Sequence, residues 1–184
     1  MADAFFPMPL PPTITDGVIL LDSHTVEDAE AHHAGEDDEM IRRFDGTEKA
    51  TLDQMRGAMR RWIAMRAAGG PQFAYAMRDL TGNVLMGGCE MQRWRADTAR
   101  MSYWVYPAFR GRGYASRGLA LLCAEAAKID GIETIEADIA ADNFASRAVT
   151  LHNGFVQAGT VTDETWSGTI VTLDRYLRPA RIAG

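Results

Sequence analysis

The run Tyr106-Pro107-Ala108-Phe109-Arg110-Gly111-Arg112-Gly113-Tyr114-Ala115-Ser116 constrains the fold more than any other stretch of the chain. A strand-like segment, residues 99–106, breaks at a proline into an arginine and glycine loop, and a helix opens directly after it. Leu119, Leu122, Cys123, Ala126 and Ile129 then recur on one helical face, and Gly131 supplies a left-handed stop. Beyond it, Ile135, Ala137 and Ile139 alternate with Glu136 and Asp138, the pattern of a strand over residues 132–140. A strand, a helical crossover and a second strand in one sheet require parallel pairing. The loop between them suits an anion: glycines let backbone amides approach without side-chain obstruction, and the helix start adds unpaired donors and the positive end of the dipole. Arg110, Arg112 and Arg117 add charge-assisted donors to the same place. No Gly-Lys-Ser or Gly-Lys-Thr closes the loop, and its glycine spacing is not that of a dinucleotide fingerprint.

The other elements arrange themselves around that unit. Residues 17–21 read as a short apolar strand, and Thr25-Val26-Glu27-Asp28 has the side chains of a capping box opening a helix. An acidic run, Glu36, Asp37, Asp38 and Glu39, falls near the end of that helix or in the turn to another. From Thr51, Leu52, Met55, Met59, Trp62 and Ile63 recur at helical spacing until Gly69-Gly70-Pro71. Residues 72–78, 84–94 and 99–106 read as an antiparallel meander, with Thr81-Gly82-Asn83 as its first turn. Asp142 or Asn143 caps a short helix that ends at Asn153-Gly154, and two strands follow around residues 155–165 and 169–176, turned by Trp166-Ser167-Gly168. The order predicts an α+β fold with a mixed sheet. Residues 17–179 form one domain, residues 1–16 an extended arm that Phe5, Phe6 and Leu10 can dock, and residues 180–184 a tail.

A formal net charge of -6 argues against nucleic-acid and anionic-membrane partners and favours cationic ones. Cys89 and Cys123 are widely separated and show no metal-ligand spacing, which fits a reducing cytoplasm and predicts no metal. The proline-rich start reads neither as a signal peptide nor as a membrane span.

Two separated motifs now carry a family likeness. Arg110-Gly111-Arg112-Gly113-Tyr114-Ala115, followed downstream by Asp142-Asn143-Phe144-Ala145-Ser146 and Asn153-Gly154-Phe155, resembles the GNAT superfamily of acetyl-CoA-dependent N-acetyltransferases across residues 17–179. Tyr103-Trp104-Val105-Tyr106-Pro107 before the loop looks most like the branch that includes the ribosomal-protein N-terminal acetyltransferases. The resemblance implies a mostly antiparallel sheet with a splayed parallel strand pair and acetyl-CoA as cosubstrate. It also implies that backbone amides of Gly111, Arg112, Gly113, Tyr114, Ala115 and Ser116 hold the pyrophosphate, that an amide near Val105 or Tyr106 polarises the thioester, and that Asn143 and Ser146 meet the pantetheine arm. One such donor is worth roughly 3 kcal/mol in the transition state. The acceptor implied is an amine on a small molecule or peptide N-terminus, and the apolar arm and closing strands permit a homodimer.

Acetyl transfer to an amine needs a neutral nucleophile, a polarised carbonyl and a proton for the departing thiolate. Many GNAT members place a tyrosine four residues before the glycine of the Gly-Phe pair; here that residue is Thr150, a poor acid that can hydrogen-bond the sulfur or order a water. His152 offers a neutral-range pKa nearby, or is a histidine settled at a helix end. Glu90 is a base acting directly or through water, or an outward glutamate; Tyr103 faces the cleft, or is a strand aromatic with a satisfied hydroxyl. The acidic run at 36–39 attracts an ammonium substrate, or is a solvated face. The alternative to an efficient enzyme is an acyl-CoA-binding sensor or interaction protein with weak turnover.

Overall fold

A computed structural model describes residues 10–44, 48–93, 95–164 and 168–181. Phe5 and Phe6 of the expected arm, Trp94 at the end of a meander strand, and Trp166 and Ser167 of the closing turn lie outside these residues. The chain runs β1 (Ile14–Thr15), β2 (Leu20–Ser23), α1 (Asp28–Gly35), α2 (Asp38–Arg43), α3 (Leu52–Ala67), β3 (Gln72–Arg78), β4 (Leu85–Arg93) and β5 (Thr98–Val105). A single 3-10 turn, Pro107–Phe109, leads to α4 (Tyr114–Ala126), β6 (Thr134–Ala140), α5 (Phe144–His152), β7 (Val156–Glu164) and β8 (Ile170–Pro179).

The strands form one eight-stranded sheet in the order β1-β2-β3-β4-β5-β6-β8-β7. Every neighbouring pair is antiparallel except β5 and β6, the pair that the crossover through α4 requires. The expected mixed, mostly antiparallel architecture is therefore present, with one parallel pair at its centre.

Side-chain alternation sends the two faces of the sheet to different helices. Cys89 and Met91 of β4 point with Met77, Ile135 and Ala137 toward Leu119, Leu122 and Cys123 of α4, and this face holds the main core. α4 lies close because Gly118 presents no side chain there; a Cβ would stand 2.6 Å from the Met77 methyl. On the other face, Ala76, Leu85 and Trp104 pack with Met40 of α2, and Met55 and Met59 of α3 pack with Ala29 of α1.

Two local expectations change. The first strand starts three residues later than the apolar pattern suggests, because Gly17 is in the left-handed region at φ 83° and the Asp16 carboxylate accepts the Val18 and Ile19 amides. That tight turn joins β2 to β1, which is too short to leave a periodic signal. The capping box expected at Thr25 forms only in part: Asp28 accepts the Thr25 amide at 2.8 Å, while its carboxylate also takes Arg78 of β3 at 2.7 Å. A complete capping box is found instead at Thr51 and Gln54, opening α3.

Gly88 of β4 sits beneath the Trp104 indole, where an added Cβ would lie 2.2 Å from a ring carbon of a residue that is 7% exposed. Gly88→Ala is expected to lose about 1–3 kcal/mol of stability by overpacking, read as a lower midpoint with an unchanged slope in urea unfolding.

Candidate active site

The parallel pairing of β5 with β6 covers only Thr98 with Thr134, Ala99 with Ile135 and Arg100 with Glu136. The ladder between β5 and β4 continues to Val105 opposite Gly87. From Met101 onward, β5 therefore presents a strand edge toward β6 with no ladder across the gap. Strand periodicity decides which backbone groups face that gap. The Tyr106 amide donates to the Met86 carbonyl at 3.0 Å, so Tyr106, Trp104 and Ser102 turn their peptide groups to β4. Val105, Tyr103 and Met101 turn theirs toward the splay, and the Val105 carbonyl accepts from Arg110 Nε at 3.1 Å.

A cavity of about 560 Å³ occupies the splay. One end is the loop that opens α4. Gly111 and Gly113 hold φ of 73° and 79°, Gly113 is the residue at the helix start, and no side chain caps the first turn, so its amides are left pointing outward. Gly111, Gly113, Tyr114, Ala115 and Ser116 line this end. The cavity passes Val105, Tyr103 and Met101 of β5 on one side and Ala137, Ile139 and Ala140 of β6 on the other. Asn143, Ser146 and Val149 close the α5 side, where the Asn143 side chain caps the helix by accepting the Ser146 amide at 3.1 Å. Asp142, the alternative cap, instead pairs with Arg43 of α2.

The opposite wall is built by Glu39, Met40, Arg43 and Phe44 of α2 and the turn after it, with Trp104, Ser102, Asp138 and Leu173. Phe44 stands edge-on to Trp104 with ring centroids 6.0 Å apart. The charges here are mutually paired. Asp138 accepts Arg100 and both Nε and Nη2 of Arg175, and Arg43 lies between Asp142 and Glu39.

Of the residues expected to do chemistry, Tyr103 alone lines the cavity. Its hydroxyl is 2.9 Å from the Ser146 carbonyl and 3.0 Å from Thr150 Oγ1. Burial raises the phenol above its ordinary range, which the Thr150 and Ser146 contacts only partly offset, so it is a protonated donor at neutral pH. Thr150 is fully buried behind it and donates to the Ser146 carbonyl at 2.9 Å. Glu90 sits beside Ser102 on the neighbouring strand, outside the lining; burial pushes its carboxyl up against the Gln72 hydrogen bond. His152 is exposed at the end of α5, also away from the lining.

The cofactor-side residues divide likewise. Tyr106 is turned the other way: its amide donates to Met86 and its hydroxyl meets His32 Nδ1 of α1 at 2.7 Å. Arg110 and Arg117 are committed to carboxylates, the first to Asp37 and Glu39 and the second to Asp16 at 2.7 Å. Arg112 is exposed, has no ion pair among the described residues, and lies over the Phe109 ring at 5.9 Å. Among the lining residues that sequence reasoning did not assign to the site are Met40, Phe44, Ser102, Trp104, Asp138 and Leu173. Strand alternation did hold part of that signal, since Ser102 and Trp104 must face away from Tyr103.

Among the described residues, no group of three or more His, Cys, Asp or Glu side chains is placed to hold a metal ion, and no helix is long and apolar enough to cross a membrane.

The fold is shared with solved acetyltransferases. The microcin C7 self-immunity acetyltransferase MccE, determined with acetyl-CoA and AMP, superposes with a TM-score of 0.77 at 16% identity, over 94% of this chain and 98% of that one. RimL, a ribosomal L7/L12 alpha-N-protein acetyltransferase determined with coenzyme A, gives 0.71 at 18% identity, over 95% and 98%. A chimera of the Vibrio cholerae spermidine N-acetyltransferase SpeG with hSSAT gives 0.70 at 16% identity, over 88% and 95%. No curated protein sequence matches the chain. The family model for the GNAT acetyltransferase domain matches residues 19–156, which contain the splayed strands, the glycine loop and the α5 cap, and the chain belongs to the GNAT acetyltransferase family.

Proposed function

We propose that this protein is an acetyl-CoA-dependent N-acetyltransferase that passes the acetyl group to a primary amine by direct attack in a ternary complex. The observation that carries the reading is the unladdered edge of β5, with the Val105 amide turned into a cavity that ends at the uncapped start of α4. Amides from Gly111 to Ser116 receive the pyrophosphate, and Arg112 is the loop cation with charge to spare. The pantetheine arm pairs with the Tyr103 and Val105 backbone as an added strand, beside Asn143 and Ser146. The Val105 amide donates to the thioester oxygen as negative charge develops there.

The amine enters from the α2 side, where Met40, Phe44, Trp104 and Leu173 favour an apolar group next to the nitrogen. Glu39, Asp138 and Asp142 are already paired with arginines, whereas Glu90 has no ion pair among the described residues. Glu90, whose proton affinity burial raises, takes the ammonium proton through water. After the carbon–nitrogen bond forms and the carbon–sulfur bond breaks, Tyr103 gives its proton to the sulfur and Thr150 orients the hydroxyl.

Calorimetry with acetyl-CoA and coenzyme A, followed by thiol release across peptides, polyamines and small amines, tests this reading. Sub-millimolar coenzyme binding and release with at least one amine class are expected. Absence of coenzyme binding would sink it. Tight binding without release to any amine favours the sensor, for which Thr150 in the tyrosine position is the specific argument.

A further inference from the structure

Arg110 opens the glycine loop, yet its side chain turns away from the place the loop leaves for an anion. Its Nε donates to the Val105 carbonyl at 3.1 Å, Nη1 to Asp37 at 2.7 Å and to Glu39 at 3.2 Å, and Nη2 to Asp37 at 2.9 Å. A guanidinium has five N–H donors, so these contacts leave a single one over. The Asp37 contact is the two-bonded, planar kind that fixes orientation as well as distance.

Each partner belongs to a different part of the site. Val105 is the end of β5, on the splayed edge. Asp37 is the cap of α2, its Oδ1 accepting the Met40 amide at 2.9 Å. Glu39, Met40 and Arg43 of α2 line the cavity on the side opposite the α5 cap. α2 is only six residues long and buries Met40 alone, so apolar packing by itself holds it weakly. At its other end, Arg43 reaches across to Asp142, next to the Asn143 cap.

We infer that Arg110 is a positioning residue for the acceptor wall: it ties α2 to the end of β5, so that the loop which receives the coenzyme also sets the wall which receives the amine. The inference rests on the acetyltransferase reading for the word acceptor, but the tie itself does not depend on it. Asp37, whose carboxyl the Arg110 hydrogen bonds hold below its ordinary range, is ionised wherever the tie is needed.

Arg110→Gln and Asp37→Asn separate a tie from a phosphate ligand. Asparagine caps helices as well as aspartate, so Asp37→Asn removes the charge and keeps the cap. Hydrogen exchange at the α2 amides, measured on the full chain without ligand, is expected to quicken at least tenfold in both variants. In the wild type it is expected to quicken with added salt, and in the variants to respond little. Coenzyme A affinity by calorimetry is expected to stay within about threefold of wild type, and for any amine found to be a substrate KM rises about tenfold with kcat little changed. Unchanged α2 exchange in both variants overturns the proposal. So does coenzyme affinity that falls tenfold or more in Arg110→Gln but rises in Asp37→Asn, the pattern of an arginine released to a phosphate. If wild-type protein binds no coenzyme A, the functional reading fails while the exchange result still decides the tie.

Discussion

Replacing Tyr103 with phenylalanine is expected to lower kcat by about a hundredfold while leaving coenzyme A affinity unchanged. General acid catalysis is typically worth 10²–10⁴-fold, and the substitution removes one oxygen from a residue whose ring stays packed against the main core. The hydroxyl is a phenol proton on the cavity wall beside α5, and Thr150 behind it is fully buried. Thr150→Val, close in volume, is expected to cost less, about three- to tenfold, because it loosens the orientation of the phenol without deleting its proton. The pH profile distinguishes the two roles. Burial raises the phenol above its ordinary value, so the wild-type rate has no alkaline decline from this group below about pH 10. Pre-steady-state thiol release on the wild type and both variants provides the check. A Tyr103→Phe enzyme with full turnover removes Tyr103 from the chemistry and leaves water as the proton donor.

The second large effect lies away from the cavity, where α1 meets β3. Arg78 donates to Asp28 at 2.7 Å and to Asp22 at 2.8 Å, and His24 Nδ1 stands 3.6 Å from the same Asp28 carboxylate. Arg78 and Asp28 side chains are only 9% and 8% exposed. Removing one charge from such a pair strands the other, so Asp28→Asn is expected to cost about 3–5 kcal/mol at pH 7. Desolvation alone would raise the Asp28 carboxyl, but the contacts from His24 and Arg78 outweigh it and hold the group well below its ordinary range. A depressed carboxyl contributes in full above its unfolded value near 3.9 and loses that contribution as pH falls toward the folded value. The gap between wild type and Asp28→Asn therefore narrows below about pH 4. His24 adds an earlier step: burial lowers its pKa, so the unfolded chain takes up that proton first and stability begins to fall below about pH 6.5. Urea unfolding from pH 7.5 to pH 3.5 measures both, and a flat profile contradicts the network.

What the sequence made legible was whatever has a local signature. Gly111 and Gly113 announce the left-handed turns of the loop, the 3.6-residue spacing from Leu119 to Ala126 announces the buried face of α4, and Asn143 with Ser146 announces the α5 cap. The crossover between two apolar strands was enough to call the parallel pair. The acceptor wall was harder to see because its defining contacts are long-range. Arg110 and Asp37 are 73 positions apart, so an arginine beside two glycines read as a phosphate ligand when three other groups had already claimed it. Which of Val105 and Tyr106 turns its amide to the splay was illegible for a different reason. Alternation gives the face of a side chain, but which edge a peptide group serves depends on the neighbouring strand's register, here fixed by Met86.

The short seam between β5 and β6 has a mechanical consequence. Cut there, the sheet is two leaves, β1 to β5 on one side and β6, β8 and β7 on the other, joined along the strand direction by three residue pairs. The α4 face bridges the leaves through a shared core, while the opposite face bridges them through Arg100 with Glu136 and Asp138. On the proposed reading, a coenzyme arm laid along the splay supplies missing rungs, and ligand at a hundredfold excess over Kd adds about 2.7 kcal/mol to the folded state. The leaves then melt as a more tightly coupled unit than the free protein does, and the substrate is, for the duration of its stay, a strand of the sheet.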